Sequence, residues 1–313
     1  MSNDQWIRKV SLTVESSTEV LDLSSAHIKF SVKNADVETP NNASIRIYNL
    51  SKETVNRLTS GGEFTNVTLQ AGYLNGNYGK LFVGQIRQYR KGRENATDSY
   101  LDILASDGDV FYNQGFVNES VAKNTSRLDT LNRIADANKM PLSAVGIVGD
   151  SQHLVIPRGS VQFGMARARF RDVATTMDQA WSIQDGVLVL HNNTGYLGNE
   201  AVVLNAVTGL VGVPEQTNEG IQAVCLLNSR VRIGGLVQIN NDDINQLMQA
   251  QKSSANLAYN SWSNLQENAA LSGSGVYQAF VVEHEGDTRG NAWYTSLTCL
   301  ATDQTAGLVP GGV

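Results

Sequence analysis

The chain of 313 residues can bury a large core, and its length alone suggests about two domains. A net charge of −6, with only 17 % charged residues, argues against sequence-specific nucleic acid binding or a tight grip on phosphates, which needs clustered Lys and Arg. With 41 % hydrophobic residues, 28 Gly and 5 Pro, the composition is that of a turn-rich β protein and excludes a disordered chain.

The first ten residues lack the apolar core of a signal peptide and no run reaches the length of a membrane span, so folding in the cytoplasm without membrane insertion is expected. Cys225 and Cys299 lie in apolar, strand-like runs without metal-type spacing and read as buried free thiols.

Residues 6–14 and 27–32 alternate like strands, with Val10, Leu12 and Val14 on one face. Residues 44–50 alternate again and run into 51–58, a short helix that Ser51 can cap and Gly61-Gly62 would close. Strands follow at 66–71 and 81–89 around the Gly-rich and Asn-rich turn 72–79, and at 100–105. A barrel or sandwich with one small helix accommodates this set, spanning 1–110.

After Asp107-Gly108-Asp109 the pattern changes. Residues 125–138 place Leu128, Leu131, Ile134 and Ala135 on one helical face, and 172–181 do the same with Val173, Met177, Ala180 and Trp181. A hairpin at 181–190 turns at Asp185-Gly186. Residues 111–200 thus read as a small α/β insert domain. Within it Arg158, Arg167, Arg169 and Arg171 form a basic patch; the last three alternate with Ala166, Ala168 and Phe170 as on a strand. The patch is either a solvated strand face or a docking surface for an acidic partner.

A second β module, 201–313, holds strand-like runs at 202–204, 209–214, 220–228 and 232–239. It ends in a hairpin, with Tyr277, Phe280 and Val282 before the turn and Trp293, Leu297, Cys299 and Ala301 after it. An offset of 196 residues lays this hairpin on the earlier one and pairs Arg289 with Arg93, Asn291 with Asn95, Leu297 with Leu101 and Asp303 with Asp107. Over 27 positions it gives seven identities, where average usage predicts roughly two. The same register sets Val282 on Ile86, as if one β module were used twice. Aligning 237–239 with 67–69 needs an offset of 170, so the second copy carries an insertion of 26 residues within 241–275. Its three/four spacing of Ile244, Met248, Trp262 and Leu265 reads as a helix, packed on its own module or against a neighbouring subunit.

No catalytic, cofactor-binding or metal constellation is legible. His284, Glu285, Asp287 and Arg289 crowd one turn, but the second His of a zinc-protease helix is missing and Gly286 breaks any helix. The expected role of His284, Gly286, Asp287, Arg289 and Gly290 is structural: Asp287 caps the turn and pairs with Arg289. Asp107-Gly108-Asp109 lacks the later positions of a calcium loop and reads as a turn. No phosphate-binding Gly-Lys-Ser/Thr and no nucleophile elbow occur.

Several segments together resemble the baseplate hub family of contractile-tailed bacteriophages and related injection machines. They are Ile45-Arg-Ile-Tyr-Asn-Leu-Ser51, Gln70-Ala-Gly-Tyr73 with Leu81-Phe-Val-Gly-Gln-Ile86, Ser106-Asp-Gly108, Gly209-Leu-Val-Gly-Val-Pro214, and His284-Glu-Gly-Asp-Thr-Arg-Gly290 with Trp293. The resemblance implies an α+β, mainly β fold: two tail-tube-like β-barrel domains separated by the α/β insert. It also implies a homotrimer with approximate sixfold symmetry, joining a tail tube or distal tube adaptor protein to a central spike protein and lining a channel for DNA. Tape measure and baseplate wedge proteins are further expected partners, the location is the virion tail, and no cofactor or enzymatic activity is expected. A tail-tip cell-wall-degrading enzyme and the hub of a DNA-free secretion system or tailocin are the alternatives.

Overall fold

The computed structural model describes residues 5–60, 64–144, 154–192, 200–217, 220–240 and 275–302. The first part forms β1 (Arg8–Ser16), β2 (Val20–Asp22), β3 (His27–Ala35), β4 (Asn42–Tyr48), α1 (Lys52–Thr59), β5 (Phe64–Tyr73), β6 (Tyr78–Arg93) and β7 (Ser99–Ser106). Alternation drives these strands: Ile28, Phe30 and Val32 point inward on β3, as do Ile45 and Ile47 on β4 and Leu101, Ile103 and Ala105 on β7. Ser51 caps α1 by accepting from the Thr54 amide at 3.1 Å. The helix-closing Gly61-Gly62 pair lies outside the described residues.

The middle of the chain holds α2 (Asp109–Gln114), β8 (Phe116–Val121), α3 (Arg127–Ala137), β9 (Leu142–Ala144), β10 (Ser160–Met165), α4 (Ala166–Thr175), β11 (Gln179–Gln184) and β12 (Val187–Asn192). The β11–β12 hairpin turns at Asp185 and Gly186, both at positive φ (53° and 80°), the backbone a two-residue turn demands. The second helix differs from expectation. It begins at Ala166 and ends at Thr175, and Trp181 sits on β11. Arg167, Arg169 and Arg171 are therefore on a helix, not a strand. The period of four in the buried Ala166, Phe170 and Ala174 overrides the local alternation.

The last part comprises β13 (Val202–Leu204), β14 (Leu210–Gln216), β15 (Ile221–Leu226), β16 (Leu236–Ile239), β17 (Val276–Asp287) and β18 (Trp293–Ala301). The strand expected over 232–239 is confined to β16, because tight turns bond Val231 to Asn228 and Gly235 to Arg232 just before it. The helix expected around Ile244, Met248, Trp262 and Leu265 lies outside the described residues.

One sheet runs β14-β15-β18-β17-β3-β4-β7-β6-β5-β1-β2, with β16 and β13 branching from β17. The order β3-β4-β7-β6-β5-β1 recurs as β14-β15-β18-β17-β16-β13. All corresponding pairs are antiparallel except β13·β16, which is parallel where β1·β5 is antiparallel. The sequence offset preserves which residues of β7 and β18 face inward, yet misplaces β17 against β6. Ile86 lies opposite Ala105, whereas Val282 lies opposite Leu297, the counterpart of Leu101. The bulges fall at different points, beside Arg87 in β6 and Phe280 in β17, so the two hairpins zip in different registers.

The closed barrels expected from the resemblance are not found among the described residues: the hydrogen-bonded path is open, from β14 to β2. The edge of β3, which would have to close the first set on itself, is instead taken by β17. Buried side chains fall into three clusters. One lies under β1–β7, a second is built from residues 111–190 around Phe111, Phe170 and Trp181, and a third lies under β13–β18. Trp293 on β18 and Leu227 just after β15 are the exceptions, packed in the first cluster.

Candidate assembly surfaces

The candidate hairpin turn sits at the β3·β17 junction. Asp287 Oδ1 accepts from the amides of Arg289 at 2.9 Å and Gly290 at 2.8 Å, which is the cap expected of it. Its side-chain partner is not Arg289 but His27, whose Nε2 lies 2.7 Å away, because β3 brings His27 under the turn. Burial pushes the Asp287 carboxyl upward, but these amides and His27 outweigh it and hold the pKa below the ordinary value. Arg8, which the sequence did not mark, donates to the carbonyls of Asp287, Gly290 and Asn291 at 2.9, 2.5 and 3.2 Å while its guanidinium covers the Trp293 ring at 5.1 Å. The turn is thus held from below by the first β set.

Gly286 is required here by close approach, since a Cβ would come within 2.3 Å of the Phe30 ring. Phe30 cannot retreat, being 2 % exposed and edge-on to Trp293 at 5.6 Å. Gly286→Ala is expected to cost roughly 1–3 kcal/mol as an overpacked strand junction, read as a lowered urea midpoint.

Behind the junction lies a small polar pocket lined by Asn41, Lys80, Asp107, Asp185, Arg232 and His284 among others. His284 is fully buried, with Nδ1 2.9 Å from the Thr295 hydroxyl, and burial pulls its pKa down to about 4, helped by Arg232. Asp107 accepts from the Gly186 amide at 2.8 Å, and burial raises its pKa to about 7. The Asp107-Gly108-Asp109 segment is indeed a turn, with Gly108 at φ 64° beginning α2.

The two buried groups act in opposite directions. Unfolded His284 takes a proton near 6.5 and native His284 only near 4, so stability from this group falls as pH drops through that window. Native Asp107 protonates near 7 and unfolded Asp107 near 3.8, so the same acidification stabilises. At 1.36 kcal/mol per pKa unit each effect is roughly 3–4 kcal/mol, and they largely cancel. Asp107→Asn, which mimics the protonated carboxyl, is therefore expected to make stability fall more steeply between pH 6.5 and 4.5 than in the parent. Parallel pH profiles of the urea midpoint would contradict this.

Away from the cores, the sheet presents polar rows across five strands. Asp287, Lys29, Arg46, Asp102 and Arg90 face one another in one row, and the next rows add Glu285, then Glu283 with Lys33. Arg46 grips Asp102 through two bonds of 2.7 and 3.0 Å, and Lys33 pairs with Glu283 at 2.5 Å. Basic and acidic groups balance in these rows, so the acidic excess of the chain is not carried by them. Two open hollows of about 640 and 720 Å³ lie on this face, the first lined by Ser31, Lys33 and Ser44, the second by Gln222, Val224 and Glu283.

The basic patch is dispersed by its helix. Arg167 bonds the Tyr112 carbonyl at 2.8 Å and covers its ring, Arg169 pairs with Asp172 at 2.9 Å, and Arg171 pairs with Glu38. Arg158 is exposed. On the β8·β10 ribbon, Phe116 and Phe163 pack edge to face at 5.2 Å while 50 % and 62 % exposed, an apolar patch that no local pattern marks because it spans two distant strands. Cys225 and Cys299 are free and buried, as expected.

What this geometry defines is a mainly β scaffold. The model of the family described as baseplate hub gp41 matches residues 7–260, and the chain belongs to that family. It is a structural protein of the phage tail baseplate, related to components of contractile injection systems. The fold is similar to that of the tail protein from Neisseria meningitidis MC58, with a TM-score of 0.58 at 9 % identity over 94 % of this chain and 96 % of that one. It is also similar to the 43 kDa tail protein of prophage MuSo2 from Shewanella oneidensis, with a TM-score of 0.57 at 4 % identity over 93 % and 98 %. A third likeness is to the E. coli c3393 protein, a component of the type VI secretion system, with a TM-score of 0.52 at 8 % identity over 91 % and 76 %. No curated protein matches. Among the described residues no helix is long and apolar enough to cross a membrane.

Proposed function

We propose that three copies of this chain form the structural hub of a baseplate, a trimer of approximate sixfold symmetry that joins the sixfold tail tube to the threefold central spike. The observation that carries this reading is the strand order repeated within one chain, with its two halves joined edge to edge. Each chain then supplies two tube-like modules, 1–110 and 201–313, and an α/β insert, 111–200, so that three chains present six modules in approximate sixfold symmetry to the tube and true threefold symmetry to the spike. The three separate cores support this division.

The polar face of the sheet lines the channel, where balanced, mutually paired charges give a passing DNA little to bind. The partners are the tail tube or distal tube adaptor, the spike, and the tape measure and wedge proteins, with the Arg158 to Arg171 region as one docking surface. The protein acts by assembly and not by catalysis. A second reading, the hub of a DNA-free injection apparatus, draws on the fold shared with a type VI secretion component. Sedimentation equilibrium of the full chain tests the trimer, with ring-shaped particles expected in electron micrographs. A monomer at all concentrations, or peptidoglycan lysis abolished by a single carboxylate substitution, would overturn it.

A further inference from the structure

Among the asparagines of the chain, only Asn75 is followed by glycine. The pair forms the tip of the β5–β6 hairpin, whose shoulders are well anchored. The Tyr73 amide donates to the Asn77 carbonyl at 3.0 Å, and the Leu74 amide to the Ile7 carbonyl at 2.8 Å. At the tip itself the Gly76 amide reaches the Tyr73 carbonyl at 3.4 Å, longer than an ordinary N–H···O bond. Asn75 is exposed, and its side chain has no partner among the described residues. Asparagines in other turns are tied down. Asn95 Oδ1 accepts from the amides of Thr97 and Asp98 while its Nδ2 donates to Asp98 at 2.7 Å, and Asn205 Oδ1 accepts from the amides of Val207 and Thr208. Asp185-Gly186, the acid counterpart of Asn75-Gly76, is locked at both groups: Arg232 holds the carboxylate at 2.9 Å, and the Gly186 amide donates to Asp107 at 2.8 Å.

We infer that Asn75 is a site of spontaneous deamidation, in which the chain supplies the nucleophile and water is the co-reactant. The Gly76 nitrogen, after giving its proton to hydroxide, bonds to Cγ of Asn75, and the Cγ–Nδ2 bond breaks. Nδ2 takes a proton from water and leaves as ammonia, so that a five-membered succinimide remains. Water then opens the ring. Cleavage of the new N–Cγ bond leaves aspartate, whereas cleavage of the original peptide bond leaves isoaspartate, with the main chain running through Cγ. Nothing is oxidised or reduced: an amide and a water become a carboxylate and ammonium. Glycine permits the attack because it has no Cβ to crowd the closing ring and the freest backbone of any residue. The long Gly76 bond leaves the nucleophile accessible, and the unpartnered Asn75 side chain is free to turn toward it. The position gives the change a consequence. Trp6, Ile7 and Leu74 are 85 %, 60 % and 52 % exposed, and Leu74 ties the tip to Ile7, so deamidation sets a carboxylate beside an apolar rim.

The test incubates the full chain at neutral pH and body temperature, folded and in concentrated urea, and follows each asparagine by peptide mass spectrometry. Isoaspartate is scored separately, by methyl transfer from a protein isoaspartyl methyltransferase. In the folded chain, conversion at Asn75 is expected to exceed that at Asn95 at least tenfold. It should be at most about threefold slower than in urea, since a hairpin tip opens without unfolding the sheet. Conversion should also speed up as pH rises, because the attacking nitrogen must lose its proton. Gly76 is not among the glycines at positive φ, so Gly76→Ala keeps the turn, and it is expected to slow conversion at least tenfold. An Asn75 that stays intact in the folded chain while it converts in urea would show that the turn protects it, and would overturn the inference. So would a Gly76→Ala chain that converts at the parent rate.

Discussion

Trp293→Ala is expected to destabilise the chain by about 3–5 kcal/mol, the usual cost of emptying a large buried aromatic site. The midpoint of thermal unfolding should fall by roughly 10 °C. The size of the effect follows from where the side chain goes. Trp293 begins β18, yet it is 2 % exposed within the cluster of the first β set, edge-on to Phe30 and beneath the Arg8 guanidinium. Its carbonyl also accepts from the Leu227 amide at 3.1 Å. Removing the ring empties the larger of two places, among the described residues, where the second set reaches into the core of the first, the other being the neighbouring Leu227.

Loss should therefore be local as well as global. Amide exchange at residues 29–35, which pair with β17, should accelerate more than exchange on β5. The indole N–H has no hydrogen-bond partner among the described residues, so Trp293→Phe forfeits volume only and should cost much less. Equal losses for the two variants would show that the site does not work by packing.

The strands of this fold were legible wherever one face is buried and one is wet, as in Ile28, Phe30 and Val32 or Leu101, Ile103 and Ala105. Local chemistry placed the caps and turns: the Ser51 hydroxyl on α1 and the Asp185-Gly186 bend of the β11–β12 hairpin. The arginine helix is encoded in the spacing of four of Ala166, Phe170 and Ala174, which the shorter Arg/Ala alternation masks. Internal duplication could be seen at low identity, but not the register, because a bulge moves every later pair by one residue without changing composition.

The junctions were not legible at all. Arg8, His27, Asp36, Asn41 and His191 act through partners up to hundreds of residues away, as in the 2.8 Å bond from the Asn41 amide group to the Ile183 carbonyl. No period marks such residues. The scarcity of histidine, four in the chain, was the one available hint, since His27, His191 and His284 each bond a side chain from another strand or connection.

Asp36→Ala should be as damaging as Trp293→Ala, and its effect should depend on pH. Asp36 stands where three parts of the chain meet. Its amide donates to the Phe280 carbonyl of β17 at 2.9 Å, and its carboxylate lies 3.1 Å from Nε2 of His191 on β12. His191 Nδ1 lies 2.9 Å from the Asn192 carbonyl, so both ring nitrogens face acceptors and the doubly protonated ring satisfies both. Burial pulls the His191 pKa down, but the Asp36 bond and charge together with the Asn192 carbonyl more than offset it, leaving the pKa above 6.5.

A raised native pKa means that the pair contributes fully below the unfolded value of 6.5, and that its contribution is lost as pH rises through the native value. The pair is buried, with side chains 8 % and 4 % exposed, so deleting its anion leaves an uncompensated group and costs about 3–5 kcal/mol where the ring is charged. The gap in urea midpoint between the parent and Asp36→Ala should accordingly be wide at pH 6 and narrow by pH 9. A gap of the same width at both would mean that Asp36 acts through its backbone bond to Phe280 and that His191 carries no charge in the native protein.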